Sequence, residues 1–222
     1  MRVSSILLLL VGTLTTHFAF AATSNMVYEE GTHYVELPIP IKTRDSSVIE
    51  VSEYFSYGCP HCYQFEPLLS SWQSGLAADV KFSRTPAIWN EDYQVYAQTY
   101  YTVKALKVLD NVHAPIFGAI HGQGRRLNSP QSMAAYLTDF GVDIEDFAKS
   151  YNSFGVRASV QQADSRGRAY RSGGVPAIIV NGKYRVEGSM AGSNANMLRI
   201  VDFLIEKERK SKQVGPLAPE KT

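Results

Sequence analysis

Residues 48–62 of this chain read Val-Ile-Glu-Val-Ser-Glu-Tyr-Phe-Ser-Tyr-Gly-Cys-Pro-His-Cys, and this stretch decides the predicted fold. Val48 to Phe55 is rich in β-branched and aromatic residues, so it predicts a strand. After a short turn, a helical pattern extends from Tyr63 to about Ala78. Strand, turn, Cys-x-x-Cys and helix, in this order, form the arrangement that dithiol chemistry requires, because one cysteine then lies at a helix N-terminus.

The two cysteines are expected to differ in their surroundings. Cys59 would be the N-cap residue, and Pro60 the first helical residue, where the missing N–H of proline costs nothing. The free N–H groups of His61 and Cys62 would point at the Cys59 sulfur and, with the helix dipole, favour its thiolate. His61 can add a charge or a hydrogen bond, and Cys62 should be the more buried, resolving thiol. A stabilised thiolate makes a disulfide easier to reduce, so such a site oxidises other thiols.

The chain has only two cysteines, which excludes a framework of several disulfides. Three alternatives to redox chemistry stay open. A structural zinc site needs four ligands, and the candidate histidines show no paired metal-ligand spacing; they are His33, His61, His113 and His121. A structural disulfide between Cys59 and Cys62 would close a very short loop and stabilise little. The third alternative is two unrelated buried thiols. Redox chemistry is favoured over all three.

A second segment far along the chain fits the same chemistry. Gly173-Gly174-Val175-Pro176 precedes an apolar run, and Asn181-Gly182 predicts a tight hairpin turn after that run. A proline at the entry of a strand is a candidate for a cis peptide bond. Beside a Cys-x-x-Cys helix, such a proline would expose the backbone of Val175 to an incoming extended peptide, which could pair with it as an added strand.

These two segments together resemble the DsbA family of bacterial periplasmic disulfide-forming proteins. The residues that carry the resemblance are Glu53-Tyr54-Phe55-Ser56-Tyr57-Gly58-Cys59-Pro60-His61-Cys62-Tyr63-Gln64-Phe65-Glu66, Val175-Pro176 and Asn181-Gly182-Lys183-Tyr184. Cys-x-x-Cys alone would indicate only the thioredoxin superfamily. Cys-Pro-His-Cys-Tyr-Gln-Phe, with valine before the distant proline, is much more specific.

The resemblance implies a thiol:disulfide oxidoreductase that donates a redox-active Cys59–Cys62 disulfide. Its clients would be unfolded or partly folded secreted proteins with free thiols, held at Val175 and Pro176. A membrane quinone reductase of the DsbB type would reoxidise the pair, and no cofactor is implied within the chain. Tyr57-Gly58 departs from the bulkier aromatic pair of familiar relatives, which predicts a looser approach to Cys59.

Two charged residues are predicted to point into the core beneath the cysteines. Strand alternation places Glu53 in an apolar row and puts Arg84 in the apolar row of the next strand. A buried pair of this kind is poor evidence for stability and better evidence for redox tuning or proton handling. The family has a Glu–Lys pair here, and arginine does not readily lose its proton, so a role of Arg84 in proton transfer is doubtful. The alternative is that Arg84 extends to solvent at the strand end.

The chain begins with the plan of a secretory signal peptide. Arg2 precedes a short apolar run, and Ala19-Phe20-Ala21 is a typical cleavage site. We therefore expect residues 1–21 to be removed and the rest to reach the periplasm, with a retained membrane anchor as the alternative. Basic and acidic residues nearly balance, at 22 and 21, which argues against nucleic acid as a partner.

The predicted fold class is α/β: a thioredoxin-like fold with an inserted all-helical domain. Residues 22–86 and 163–210 would form the discontinuous thioredoxin-like domain, 87–162 the helical insertion and 211–222 a flexible tail.

Two other functions stay open. A reductase or isomerase would use the same chemistry, but isomerases of this superfamily commonly have a dimerisation domain, and too little chain precedes the first strand for one, so a monomer is expected. A peptide-binding chaperone would use the groove without the sulfurs.

Overall fold

The computed structural model describes residues 28–213 of the 222-residue chain. The predicted signal peptide, residues 1–21, and the predicted tail from residue 214 onwards lie outside the described residues. Among the helices of the described part, none is both long and apolar enough to cross a membrane.

A five-stranded sheet with the order β1-β5-β4-β2-β3 forms the centre of the fold. The strands are β1 (Val35–Glu36), β2 (Ile49–Phe55), β3 (Val80–Pro86), β4 (Ala177–Val180) and β5 (Tyr184–Glu187). β2 runs parallel to β3 and antiparallel to β4, and all seven of its residues are buried. The strand predicted before the cysteines is confirmed, and it lies in the interior of the sheet with both faces covered.

Two helices cover one face of the sheet. They are α1 (Pro60–Ser74), which follows β2, and α8 (Asn194–Gln213). Helix α8 has an apolar stripe at helical spacing, whose five members are buried in one core with strands β2 and β4: Met197, Ile200, Val201, Leu204 and Ile205. Helix α1 ends four residues before the predicted Ala78, since Gly75 takes the C-cap position.

An all-helical stretch lies between β3 and β4. Its helices are α2 (Glu91–Ala105), α3 (Leu109–Phe117), α4 (Pro130–Leu137), α5 (Ile144–Tyr151) and α6 (Phe154–Tyr170). A π-helical turn (Gly118–Gly122) extends α3, and a short helix α7 (Gly188–Ala191) follows β5. The core of this stretch also includes Phe55, Tyr57, Cys59 and Cys62, so the helices pack directly on the cysteine pair. The fold is therefore α/β with a helical insertion, as predicted.

Two predicted limits differ from the helices observed. The limit of the insertion at residue 162 falls inside α6, which runs on to Tyr170 and packs against both α2 and β3. The division of the chain into domains therefore stays a prediction. Helix α8 continues to Gln213, so residues 211–213 belong to this helix and not to the predicted tail.

Candidate active site at the start of helix α1

The cysteine pair lies at the N-terminus of α1. Cys59 is the N-cap residue, with an extended backbone (φ −94°, ψ 115°), and Pro60 occupies the start of the helix, as predicted. The backbone N–H of Cys62 donates to the Cys59 Sγ over 3.4 Å. Both cysteines are free thiols in this structure, so the geometry is that of the reduced pair.

The two thiols have opposite shifts in pKa. A hydrogen bond from the Cys62 thiol lowers the pKa of Cys59 to about 6, helped by the backbone N–H groups of Cys62 and His61 and by the charge of His61, although burial opposes the shift. Burial raises the pKa of Cys62 well above its usual value. At neutral pH the reduced pair therefore carries one thiolate and one buried thiol.

The distant proline segment lies against the Cys59 sulfur. The Val175–Pro176 peptide bond is cis, as predicted. The Val175 carbonyl oxygen lies 3.2 Å from the Cys59 Sγ and accepts a hydrogen bond from it when Cys59 is protonated. The backbone of Val175 is thus placed next to the reacting sulfur, although 116 residues separate the two along the chain.

Glu53 and Arg84 meet beneath the pair. The parallel register of β2 and β3 sets them opposite each other, and the Arg84 Nε donates to the Glu53 Oε2 over 2.9 Å. The Arg84 side chain is only 10% exposed, which contradicts the alternative that it extends to solvent. Burial raises the pKa of Glu53 to about 8, partly offset by the charge of Arg84. Glu53 is therefore mostly protonated at neutral pH.

Three further residues complete this cluster, and the sequence analysis missed them. The Arg84 Nη2 donates to both carboxylate oxygens of Glu66, at 2.9 and 3.0 Å. The His113 Nε2 lies 3.4 Å from the Glu66 Oε2, and its Nδ1 lies 2.7 Å from the Tyr57 hydroxyl. Burial works to raise the pKa of Glu66, but His113 and Arg84 outweigh it, and the net pKa is lowered.

A spacing in the sequence could have indicated one of these residues. Glu66 follows Cys62 by four residues, which places both on one face of α1. For Tyr57 and His113 no local pattern exists, because they come together only when α3 packs on the loop after β2.

Helix α2 covers the loop before the cysteines. A Cβ added to Gly58 would lie 2.8 Å from the ring of Tyr96 and 3.3 Å from that of Tyr93. Aromatic rings from α2 therefore fill the space that a larger residue at this position would need. The looser approach to Cys59 predicted from Tyr57-Gly58 is not what the packing shows.

Fold and site together define a class of protein. This protein has a sheet flanked by helices, a Cys-x-x-Cys at the start of the helix that follows interior strand β2, and a cis-proline loop against the first sulfur. These are the features of a thioredoxin-fold thiol:disulfide oxidoreductase. Within residues 28–213, no group of three or more His, Cys, Asp or Glu side chains is placed to hold a metal ion.

Comparisons with known proteins identify the family. The profile of the DSBA-like thioredoxin domain matches residues 73–198, which begin after the cysteine pair. The thiol:disulfide interchange protein DsbA of Azotobacter vinelandii is 43% identical over 179 residues, covering 81% of this chain and 84% of the relative. DsbA of Pseudomonas aeruginosa is 41% identical over 201 residues, covering 88% of this chain and 95% of the relative.

Solved structures agree with this result. A crystal structure of Pseudomonas aeruginosa DsbA superposes with a TM-score of 0.81 at 41% identity, covering 84% of this chain and 97% of that one. The oxidoreductase DsbA of Xylella fastidiosa superposes with a TM-score of 0.78 at 32% identity, covering 82% and 98%. The chain belongs to the DsbA family of thioredoxin-like proteins, and it is a protein disulfide oxidoreductase.

Proposed function

We propose that this protein donates its Cys59–Cys62 disulfide to newly exported proteins with free thiols. The observation that carries the proposal is the position of the Cys59 Sγ at the N-terminus of α1, where it accepts the N–H of Cys62; there the pKa of Cys59 is lowered to about 6, while burial raises that of Cys62. A thiolate that is stabilised only in the reduced pair favours reduction of the disulfide. The pair should therefore oxidise other thiols readily, and the reduced pair should resist reoxidation by the client disulfides that form.

The reaction begins on the oxidised pair. A client thiolate attacks the Cys59 Sγ, the bond between the two protein sulfurs breaks, and Cys62 leaves as a thiolate that takes up a proton. A second client thiolate then attacks the client sulfur of the mixed disulfide and releases Cys59 as a thiolate. The client loses two electrons and gains a disulfide, and the Cys59–Cys62 pair is reduced by the same two electrons.

Client binding is assigned to the backbone around Val175 and Pro176. The Val175 carbonyl oxygen lies 3.2 Å from the Cys59 Sγ, so a client that bonds to Cys59 arrives directly beside this carbonyl. An extended peptide could pair with the Val175 backbone as a short added strand, with little selection of side chains.

Redox tuning is assigned to Pro60, His61, Glu53 and Arg84. Pro60 and His61 act from the helix start, where the N–H and charge of His61 stabilise the Cys59 thiolate. Glu53 acts on Cys62 from the core beneath the cysteine pair, because an ionised Glu53 carboxylate would raise the pKa of Cys62 further. Arg84 keeps its charge throughout, so we assign it a fixed electrostatic role and no part in proton transfer.

The remaining partners follow from membership of the family. We infer delivery to the periplasm by cleavage of residues 1–21, and reoxidation of the pair by a membrane quinone reductase of the DsbB type. The protein is expected to act as a monomer.

A client-oxidation assay tests the proposal. The oxidised protein should form a disulfide in a reduced peptide that contains two cysteines, and Cys59→Ala should abolish this activity because the attacked sulfur is gone. Cys62→Ala is the matched control: it keeps the reacting sulfur of Cys59 but removes the resolving thiol, so it should accumulate mixed disulfides with peptides already bearing an activated disulfide. An active Cys59→Ala variant would contradict the assignment.

A further inference from the structure

The buried cluster beneath the cysteines contains two carboxylates but only one guanidinium. Arg84 reaches Glu66 with two hydrogen bonds and Glu53 with one. The second carboxylate oxygen of Glu53 is buried without a hydrogen-bond partner. One positive charge can neutralise only one carboxylate, so something must decide which of the two carries the negative charge.

His113 breaks the symmetry between the two carboxylates. Its ring is buried, its Nε2 faces the Glu66 Oε2 at 3.4 Å without a hydrogen bond of regular geometry, and this nitrogen has no hydrogen-bond partner within the described residues. Its Nδ1 is occupied by the Tyr57 hydroxyl at 2.7 Å. If Tyr57 donates to Nδ1, a neutral imidazole carries its proton on Nε2 and presents it to Glu66.

Solvent also favours charge on Glu66. A cleft of about 470 Å³ between α1 and α3 is lined by Glu66, Ser70 and Ala114, and the Glu66 side chain is 10% exposed. The Glu53 side chain is fully buried. A carboxylate at the edge of a cleft keeps part of its hydration, whereas one in the core does not.

We propose that His113 is a positioning residue that holds the negative charge of this cluster on Glu66, so that Glu53 keeps its proton close to Cys62. The titratable and charged groups facing His113 are Tyr57 before α1, Glu66 on α1, Arg84 on β3, Tyr100 on α2 and Asp110 on its own helix α3. Those facing Glu53 are Arg84, Glu66, Cys59, Cys62, Tyr57 and Tyr100.

The consequence for the reaction rests on the proposed function. When a client thiolate opens the disulfide, Cys62 leaves as a buried thiolate. The charge of Glu53 acts on Cys62, so a protonated Glu53 carboxyl is a proton source for this sulfur: transfer leaves a Cys62 thiol and a Glu53 carboxylate, which is reprotonated from bulk solvent before the next cycle. If Glu53 already carried the negative charge, its carboxylate would have no proton to transfer to the Cys62 sulfur.

The tautomer of His113 in the wild-type reduced protein gives the first test. Nitrogen NMR of the labelled ring at neutral pH should show a neutral imidazole with its proton on Nε2 and a bare, hydrogen-bonded Nδ1. A bare Nε2 would overturn the proposal, because His113 could then not donate to Glu66. This measurement needs no variant and does not depend on activity.

Three variants of the full chain give the second test, with carbon NMR of the glutamate carboxyls read against pH. In His113→Leu the titration midpoint of Glu66 should rise and that of Glu53 should fall, each by about one pH unit. His113→Gln places an amide N–H near the position of Nε2 and should keep the wild-type midpoints. His113→Asn can keep only the Tyr57 contact and should behave like His113→Leu. Unchanged midpoints in a folded His113→Leu or His113→Asn variant would overturn the proposal.

The client-oxidation assay separates this proposal from the proposed function. A wild-type protein that fails to oxidise the dithiol peptide would contradict the oxidase function, whereas the charge assignment is decided by the two NMR measurements alone. If both hold, His113→Leu should slow client oxidation more at pH 8 than at pH 6, while His113→Gln should keep the wild-type pH profile.

Discussion

The two sulfurs of Cys59 and Cys62 are three residues apart on one helix, yet the regions around them are built in different ways. The Cys59 region is made mostly of backbone: the N-terminal N–H groups of α1 and the carbonyl of Val175. The Cys62 region is made of side chains that converge from β2, β3, α1 and α3. The Cys62 thiol and backbone N–H groups tune the sulfur of Cys59, whereas burial and a shared charge cluster control that of Cys62.

The largest change is expected when the Cys62 region loses its cation. Arg84→Met would leave the carboxyls of Glu53 and Glu66 buried without their charge partner, and the free energy of unfolding at pH 7 should fall by about 3–5 kcal/mol. Urea unfolding of the reduced protein measures this loss.

The matched variant for this experiment is Arg84→Lys. It keeps a cation between the two carboxylates but cannot reproduce the forked contacts of the guanidinium, so a smaller loss is expected. A loss below about 1 kcal/mol in Arg84→Met would mean that the pair is no better than a surface salt bridge, and the contrast between the two regions would fail.

A pH series should separate the two regions. The lowered pKa of Cys59 gives the reduced protein stability that is present above the pKa of an ordinary thiol and lost as pH falls through about 6. The raised pKa of Glu53 acts in the opposite sense: its contribution is present below the pKa of an ordinary glutamate and is lost as pH rises through about 8. Only the contribution of Cys59 requires a free thiol, so it is present in the reduced protein and absent from the oxidised protein.

The difference in free energy of unfolding between reduced and oxidised protein should therefore grow as pH rises from about 6 to about 9. Paired urea titrations of both redox forms measure it. Glu53→Gln, as the control, should remove the loss of stability toward pH 8 in both forms but keep the difference between them. A difference independent of pH would show that Cys59 is not a stabilised thiolate.

The smallest change is expected at Val175. Val175→Ala removes part of the side chain but leaves the carbonyl that faces Cys59. The KM for a dithiol peptide should change by less than about tenfold, which corresponds to about 1.4 kcal/mol. Steady-state oxidation assays with two peptides of different side chains measure this change, and a large loss confined to one peptide would instead indicate selection by the valine side chain.

The same contrast explains how much the sequence could predict. The N-cap position of Cys59, the position of Pro60 and the cis bond before Pro176 follow from short-range chemistry, and all three are confirmed. The pairing of Glu53 with Arg84 followed from strand alternation, because parallel neighbours in a sheet share a register.

What could not be predicted depends on packing between distant elements. Tyr57 and His113 are 56 residues apart, and neither lies in a pattern that assigns it a partner. The aromatic rings over Gly58 likewise come from α2, whose tyrosines recur at a spacing that indicates only a buried face. The end of α8 at Gln213 was missed because its last turn is polar.

The equilibrium of the Cys59–Cys62 pair with glutathione tests the central claim most directly. The reduced fraction of the protein is measured over a series of glutathione redox ratios at pH 7. We predict that the reduced pair dominates even in mildly oxidising mixtures, because its Cys59 thiolate is stabilised. A disulfide that persists in all but strongly reducing mixtures would contradict this account and would place the protein with the reductases.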